Sequence, residues 1–123
     1  MATIELTQSN FEDTIKNNDV IIIDFWAEWC GPCKSFAPTY EEVSNKYQDV
    51  VFAKVNTEQQ QALAGHFQIR SIPTLMIFRE QIIIFSQAGA LSGADLEGVI
   101  EKAKGLDMNM VREELAKQET NPA

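Results

Sequence analysis

The chain has 123 residues, of which 10 are lysine or arginine and 18 are aspartate or glutamate, so its formal net charge is −8. This length fits one domain, and a composition of 45% hydrophobic and 23% charged residues is typical of a globular protein. The negative charge argues against binding to nucleic acid or to an anionic membrane, because there is no excess of basic side chains to neutralise phosphates. The sequence shows no signal-peptide pattern and no apolar run of about 20 residues, so we expect a cytoplasmic protein.

The spacing of apolar residues predicts alternating strands and helices along the chain. Ile4 and Leu6 indicate a short first strand, and Ser9 with Glu12 forms a capping-box pattern at the start of a first helix. The nearly continuous apolar run 20–27 indicates a central strand that is buried on both faces.

A second helix is expected from Cys33 onward, with a kink at Pro38. Its apolar face comprises residues four, three and four apart: Phe36, Tyr40, Val43 and Tyr47. A buried strand at 50–55 and a weaker helix at 59–67 come next.

The following two strands, 74–78 and 82–85, are separated by only three polar residues, which indicates a hairpin. Ser92 and Asp95 then cap a further helix. Its apolar stripe comprises Leu96, Val99, Ile100 and Ala103. The order β-α-β-α-β-α-β-β-α implies an α/β fold with a mixed sheet, in which crossover helices join the early strands.

The two cysteines, Cys30 and Cys33, lie where the central strand ends and a helix begins. A tetrahedral zinc site needs four ligands, and only His66 could join the two thiols, so we expect no metal site. A structural disulfide is not expected in a reducing compartment, and it would close too short a loop to constrain the unfolded chain. Redox chemistry remains, with no cofactor other than a Cys30–Cys33 disulfide.

The helix N-terminus distinguishes the two cysteines. Free backbone N–H groups and the positive end of the helix dipole favour a thiolate there. Cys30, nearer the turn and expected to be exposed, should attack, whereas Cys33, one turn into the helix and shielded, should resolve the mixed disulfide. Gly31 permits a tight turn and close approach of a substrate, and Pro32 suits a first-turn position.

One acidic residue, Asp24, interrupts the apolar strand. A buried carboxylate without a partner is destabilising or stays protonated. Asp24 is therefore either a general acid/base for Cys33 or a structural, hydrogen-bonded side chain, and the sequence leaves both alternatives open. Lys54 on the adjacent strand is either its partner or a surface lysine, whereas Trp26 is expected in the core.

A family resemblance is carried by the run Phe25-Trp26-Ala27-Glu28-Trp29-Cys30-Gly31-Pro32-Cys33-Lys34, by Ala37-Pro38 beyond it, and by the segments 53–56, 69–74 and 89–90. The chain resembles the thioredoxin family over about residues 3–105. The resemblance implies the thioredoxin fold, with a central mixed five-stranded sheet flanked by four helices. It also implies a protein-disulfide reductase, whose partners are disulfide-containing client proteins and a thioredoxin reductase.

The same resemblance assigns individual positions. Cys30 and Cys33 match the attacking and resolving cysteines, and Asp24 and Lys54 match the buried acid and its partner. Pro73 matches a cis proline that faces the cysteines in the substrate groove. The groove would further include Trp29, Gly31, Pro32, Ile72 and Gly89.

Three features depart from the family pattern. The turn at 79–81 lacks the usual glycine, which leaves its type open. Strand 82–85 is unusually apolar for the edge of a sheet, and the chain continues past Gly105. We therefore divide the chain into a thioredoxin domain, 1–105, and a C-terminal extension, 106–123. These departures also allow a competing interpretation, a binding or chaperone-like module with the same fold and incidental thiols.

The extension predicts an additional amphipathic helix over 107–119, capped by Asp107 and ended by Asn121-Pro122. Its expected apolar side comprises Leu106, Met110, Val111 and Leu115. An isolated helix this short is marginal in water, so it should pack on the domain or join two copies. The protein would then be a monomer or a tail-mediated dimer, and the alternative is a frayed polar tail.

Overall fold

The structure, a computed structural model, describes residues 3–120, and side chains as far as residue 118. The elements in chain order are β1 (Thr3–Glu5), α1 (Phe11–Asn17), β2 (Val20–Trp26), α2 (Gly31–Ser44), β3 (Val51–Asn56), α3 (Gln61–His66), β4 (Thr74–Arg79), β5 (Ile82–Ala88), α4 (Gly93–Lys104) and α5 (Met108–Thr120). The predicted order is confirmed, with shifts of a few residues at the ends. No helix in the described part of the chain is long and apolar enough to cross a membrane.

The five strands form one mixed sheet in the order β1-β3-β2-β4-β5. β3 pairs in parallel with both β1 and β2, whereas the pairs β2–β4 and β4–β5 are antiparallel. The hairpin predicted from the two closely spaced strands is therefore β4–β5, and β5 lies at the edge as expected.

The central strand β2 separates two layers of core. Val20 and Ile22 face a cluster that contains side chains of α2 and α4, such as Tyr40 and Leu96. The alternate residues of β2 face the other cluster, which includes Ile15 of α1 and Leu63 of α3. Because side chains alternate along a strand, Asp24 lies on the α2 side.

The predicted capping box at the start of α1 is wrong. Asn10, and not Ser9, occupies the N-cap position, and it makes no capping hydrogen bond. The Asn10 side chain instead accepts a bond from the Thr7 N–H at 2.7 Å and donates one to the Glu5 carbonyl at 3.0 Å. Both side chains of the predicted box have other partners: the Ser9 hydroxyl lies 2.9 Å from that of Thr7, and Glu12 forms an ion pair with Lys16 at 3.0 Å.

The β4–β5 turn, whose type the sequence left open, places Glu80 at φ 50° and Gln81 at φ 71°. Two successive residues with positive φ are typical of the type I′ turn, in which glycine or asparagine is preferred. Contacts around Glu80 hold this turn: its N–H donates to the Asp19 carbonyl at 2.8 Å, and its carboxylate accepts from Arg112 at 2.5 Å.

The C-terminal extension forms the helix that was predicted, although its buried face differs from the expected one. Asp107 caps α5 by accepting bonds from the N–H groups of Asn109 and Met110. Met108 is 4% exposed, whereas three of the four residues of the predicted apolar side are exposed: Leu106 at 38%, Met110 at 62% and Leu115 at 37%. The prediction that these three residues face inward is wrong. Leu106 precedes the first residue of α5, so the helical spacing from Leu106 does not identify the buried face of the helix.

The inner side of α5 is instead formed by Met108 and the half-buried Val111, three residues apart. Arg79 joins the start of the extension to the sheet, because its Nη1 donates to the carbonyls of Ala103 and Leu106 at 2.9 and 2.7 Å. The first turns of α5 therefore pack on the domain. The proposed helix end at Asn121-Pro122 lies outside the described residues.

Met108→Ala should destabilise the protein by about 2 kcal/mol, because it removes a buried side chain that joins α5 to the domain. Met110→Ala is the matched control on the same helix, and it should change the free energy of unfolding by less than about 0.5 kcal/mol. Urea denaturation of both variants measures the difference. Equal effects of the two substitutions would contradict the docking of α5 through Met108.

Candidate active site

The cysteine pair occupies the turn between β2 and α2. The Cys30 N–H donates to the Ala27 carbonyl at 3.2 Å, which closes the turn directly after the strand. Cys30 is the N-cap of α2 and Pro32 lies in the first helical turn. The predicted placement of the pair at a helix N-terminus is confirmed.

The two sulfur atoms are 2.28 Å apart and form a disulfide, so the structure represents the oxidised protein. The N–H of Cys33 points at the sulfur of Cys30, with a distance of 3.2 Å. In the reduced protein the same N–H, together with the positive end of the α2 dipole, would stabilise negative charge on the Cys30 sulfur.

The expected exposure of Cys30 is wrong in this state. Cys30 is 4% exposed and Cys33 is 2% exposed, because both pack with Ala27 beneath the half-buried side chains of Trp26 and Ile72. Solvent exposure therefore does not distinguish the two cysteines. Their positions on the helix do: Cys30 accepts the capping bond and Cys33 donates it.

The chain brings a distant loop to the disulfide. The Ile72 carbonyl oxygen lies 3.8 Å from the Cys30 sulfur, and the Ile72–Pro73 peptide bond is cis, as the family resemblance implied. The Pro73 carbonyl accepts a 2.7 Å bond from Gly89, whose φ of 101° favours glycine. Residues 72, 73 and 89 thus form one side of a surface around the disulfide.

Three further residues predicted for the groove flank the cysteines in the chain and are exposed: Trp29, Gly31 and Pro32. Trp29 is 69% exposed, and its indole N–H donates to the Glu58 carboxylate at 2.7 Å. Sequence analysis missed Glu58, since it lies in a polar segment after β3 and nothing in its local pattern relates it to residue 29.

Asp24 is completely buried, and neither carboxylate oxygen has a hydrogen-bond partner within the described residues. Burial raises the pKa of Asp24 to about 7, and the positive charge of Lys54 opposes this change. The structural alternative for Asp24, a well hydrogen-bonded carboxylate, does not fit this environment.

Lys54 lies directly beside Asp24 in the β2–β3 ladder. Its ammonium group nevertheless forms no salt bridge with a described carboxylate, and Nζ lies 4.7 Å from the centroid of the Trp26 ring. The prediction that Trp26 belongs to the core is only partly right, because this half-buried side chain contacts both the disulfide cluster and Lys54.

Metal ligation has no support in the described part of the chain. No group of three His, Cys, Asp or Glu side chains there is arranged to hold an ion. His66 is exposed at the end of α3, with its ring against Phe67. The reactive group that the structure describes at this turn is the Cys30–Cys33 disulfide.

Comparison with known proteins gives a consistent result. The family model described as Thioredoxin matches residues 2–102. A Streptomyces coelicolor protein with the name “Putative thioredoxin 2” is 53% identical over 118 residues, which is 96% of this chain and 88% of that protein. This alignment must include most of α5. The thioredoxin of Buchnera aphidicola is 40% identical over 80% of this chain and 94% of its own length.

Solved structures show the same similarity. A mutant thioredoxin from Halobacterium salinarum has a TM-score of 0.79 and 30% identity, covering 85% of this chain and 93% of its own. A Plasmodium falciparum thioredoxin has a TM-score of 0.75 and 37% identity, covering 81% of this chain and 97% of its own.

Asp24→Asn should stabilise the protein in a pH-dependent manner. In the unfolded chain the carboxyl group has its ordinary pKa of 3.8, whereas burial in the folded protein raises this pKa to about 7. The folded state therefore binds more protons between these values, and wild-type stability falls as the pH rises through this window. The gain from the substitution should be small near pH 4 and reach up to about 4 kcal/mol near pH 8.

Chemical denaturation at both pH values measures this gain. An equal gain at the two values would show that ionisation of Asp24 is not its cause.

Proposed function

This chain belongs to the thioredoxin family and is a thiol–disulfide oxidoreductase, and we propose that it reduces disulfide bonds in other proteins. The observation that carries the proposal is the Cys30–Cys33 disulfide at the N-terminus of α2. The strand that leads into this turn carries the buried Asp24, whose carboxyl oxygens have no hydrogen-bond partner within the described residues. The disulfide is itself the redox group, and no added cofactor is needed.

The proposed reaction has two exchange steps. The Cys30 thiolate attacks a sulfur of the client disulfide, forms a mixed disulfide and releases the first client thiolate. Cys33 then loses its proton and attacks the Cys30 sulfur, which releases the second client thiolate and forms the Cys30–Cys33 disulfide. Two electrons pass to the client, whose thiolates take up the two protons lost by the cysteines.

The hydrogen bonding at the helix start supports this order of attack. The Cys33 N–H and the helix dipole stabilise a thiolate on Cys30, and the thiolate is the form that attacks the client disulfide. We assign the general base for Cys33 to Asp24, because a carboxyl group with a pKa of about 7 can both accept and return a proton near neutral pH.

We place the client along the surface formed by residues 72, 73 and 89 on one side and residues 29, 31 and 32 on the other. Ile72 offers backbone next to Cys30 to which an extended client segment could bind as an added strand. The exposed Trp29 indole, held by Glu58, supplies an apolar wall on the opposite side.

Continued turnover needs a source of electrons. We propose that a thioredoxin reductase returns the Cys30–Cys33 disulfide to the dithiol, and that the protein works in the reducing cytoplasm. The family match supports this assignment.

The competing function, a binding module with incidental thiols, has one observation in its favour, since the edge strand β5 leaves Ile83 44% exposed. Such a module would gain nothing from a buried carboxyl group without a hydrogen-bond partner, which lowers stability at neutral pH. The geometry around Asp24 therefore favours the reductase.

Cys30→Ser should abolish reduction of insulin disulfides in an assay coupled to NADPH and a thioredoxin reductase. Cys33→Ser should instead accumulate mixed disulfides with the substrate, because attack remains while resolution is lost. Mass spectrometry under non-reducing conditions identifies the trapped species. Trapping by Cys30→Ser, or normal turnover of Cys33→Ser, would reverse or refute the assigned roles.

A further inference from the structure

Lys54 stands between two carboxylates and forms a salt bridge with neither. In the parallel ladders it lies beside Asp24 on β2 and beside Glu5 on β1. Its ammonium group is found over the Trp26 ring, at 4.7 Å from the centroid. This distance is within the range of a favourable cation–π interaction.

Trp26 follows Asp24 by two positions on β2, so both side chains leave the strand on the same face. The indole ring is half-buried and packs against the cluster of Ala27, Cys30 and Cys33. Trp26 thus contacts both the disulfide cluster and the ammonium group of Lys54.

We propose that Trp26 is a positioning residue for the proton chemistry of Asp24, because its indole ring holds the Lys54 ammonium group away from the carboxyl group. The inference depends on the role proposed above for Asp24. The ring and the carboxyl group compete for one cation. While Asp24 is protonated the ring is the stronger partner, and an ionised Asp24 attracts the ammonium group more strongly.

The competition affects how readily Asp24 gives up its proton. The contact between Lys54 and the Trp26 ring is lost when the ammonium group moves to the ionised carboxylate. The ring therefore favours the protonated form of Asp24. Desolvation acts in the same direction and is the larger cause of the raised pKa of Asp24. Trp26 would therefore help to keep a proton on Asp24 near neutral pH.

The other ionisable groups near Asp24 and Lys54 are the same in all the variants proposed below. Glu5 and Glu28 line an open cleft of about 350 Å³ together with Lys54 and Trp26. On the α2 side, burial raises the pKa of Tyr40 well above its usual value, which keeps its hydroxyl group neutral. Cys30 and Cys33 do not titrate in the oxidised protein.

The test is an NMR titration of the Asp24 side-chain ¹³C carboxyl signal in the oxidised protein. Trp26→Leu frees Lys54 and should lower the midpoint by about half a pH unit. Trp26→Phe keeps an aromatic face and should restore most of the wild-type midpoint. In the Lys54→Met background, Trp26→Leu should produce no such decrease, because no ammonium group remains to be released.

Two outcomes would overturn the proposal. One is an equal decrease on Trp26→Leu with and without Lys54, which would indicate a general change in solvation. The other is the absence of an upfield ring-current shift of the Lys54 ε-protons in the wild-type protein. This measurement needs no variant, so it tests the proposal even if Trp26→Leu fails to fold. Neither measurement depends on turnover. A wild-type protein without reductase activity would contradict the proposed function, whereas the titration and the ring-current shift test the interaction of Trp26 with Lys54.

Discussion

Burial of β2 between β3 and β4 is the constraint on which the other features depend. Six consecutive residues, 20–25, are buried, so both faces of the strand must be covered by helices. The chain can leave this environment only at the end of the strand, and there the turn at Ala27 places Cys30 at the first free N–H groups of α2. The reactive sulfur atoms thus owe their position to the packing of the sheet.

The same burial creates the electrostatic character of the site. Asp24 is the one charged residue in the buried segment 20–25 of β2. Its two carboxyl oxygens have no hydrogen-bond partner within the described chain. Its raised pKa follows from desolvation, which the neighbouring Lys54 reduces without removing. The fold therefore maintains, on the strand that leads to the disulfide, a buried acid whose pKa is raised to about 7, and its burial lowers stability once the acid ionises.

The edge of the sheet shows a second use of charged side chains. Arg79, at the end of β4, binds the carbonyls of Ala103 and Leu106, and Arg112 of α5 binds Glu80 in the β4–β5 turn. These bonds connect the C-terminal helix to a turn with two positive φ values. The extension is therefore anchored at the end of the sheet remote from the cysteines, since Arg79 pairs with Val20 at the start of β2.

The sequence by itself determined the order of elements, the mixed sheet and the place of the cysteines. These features depend on local periodicity and on the Trp-Cys-Gly-Pro-Cys-Lys run, both of which can be read along the chain. Asp24 could also be identified from the sequence, because it is a charged residue within an otherwise apolar strand. Tertiary structure alone decided which groups surround them. Trp29 donates a hydrogen bond to Glu58, and the Lys54 ammonium group lies over the Trp26 ring. On α5, Met108 is buried and Met110 is exposed. Each of these contacts depends on how elements that are distant in the sequence pack together, and no local pattern contains that information.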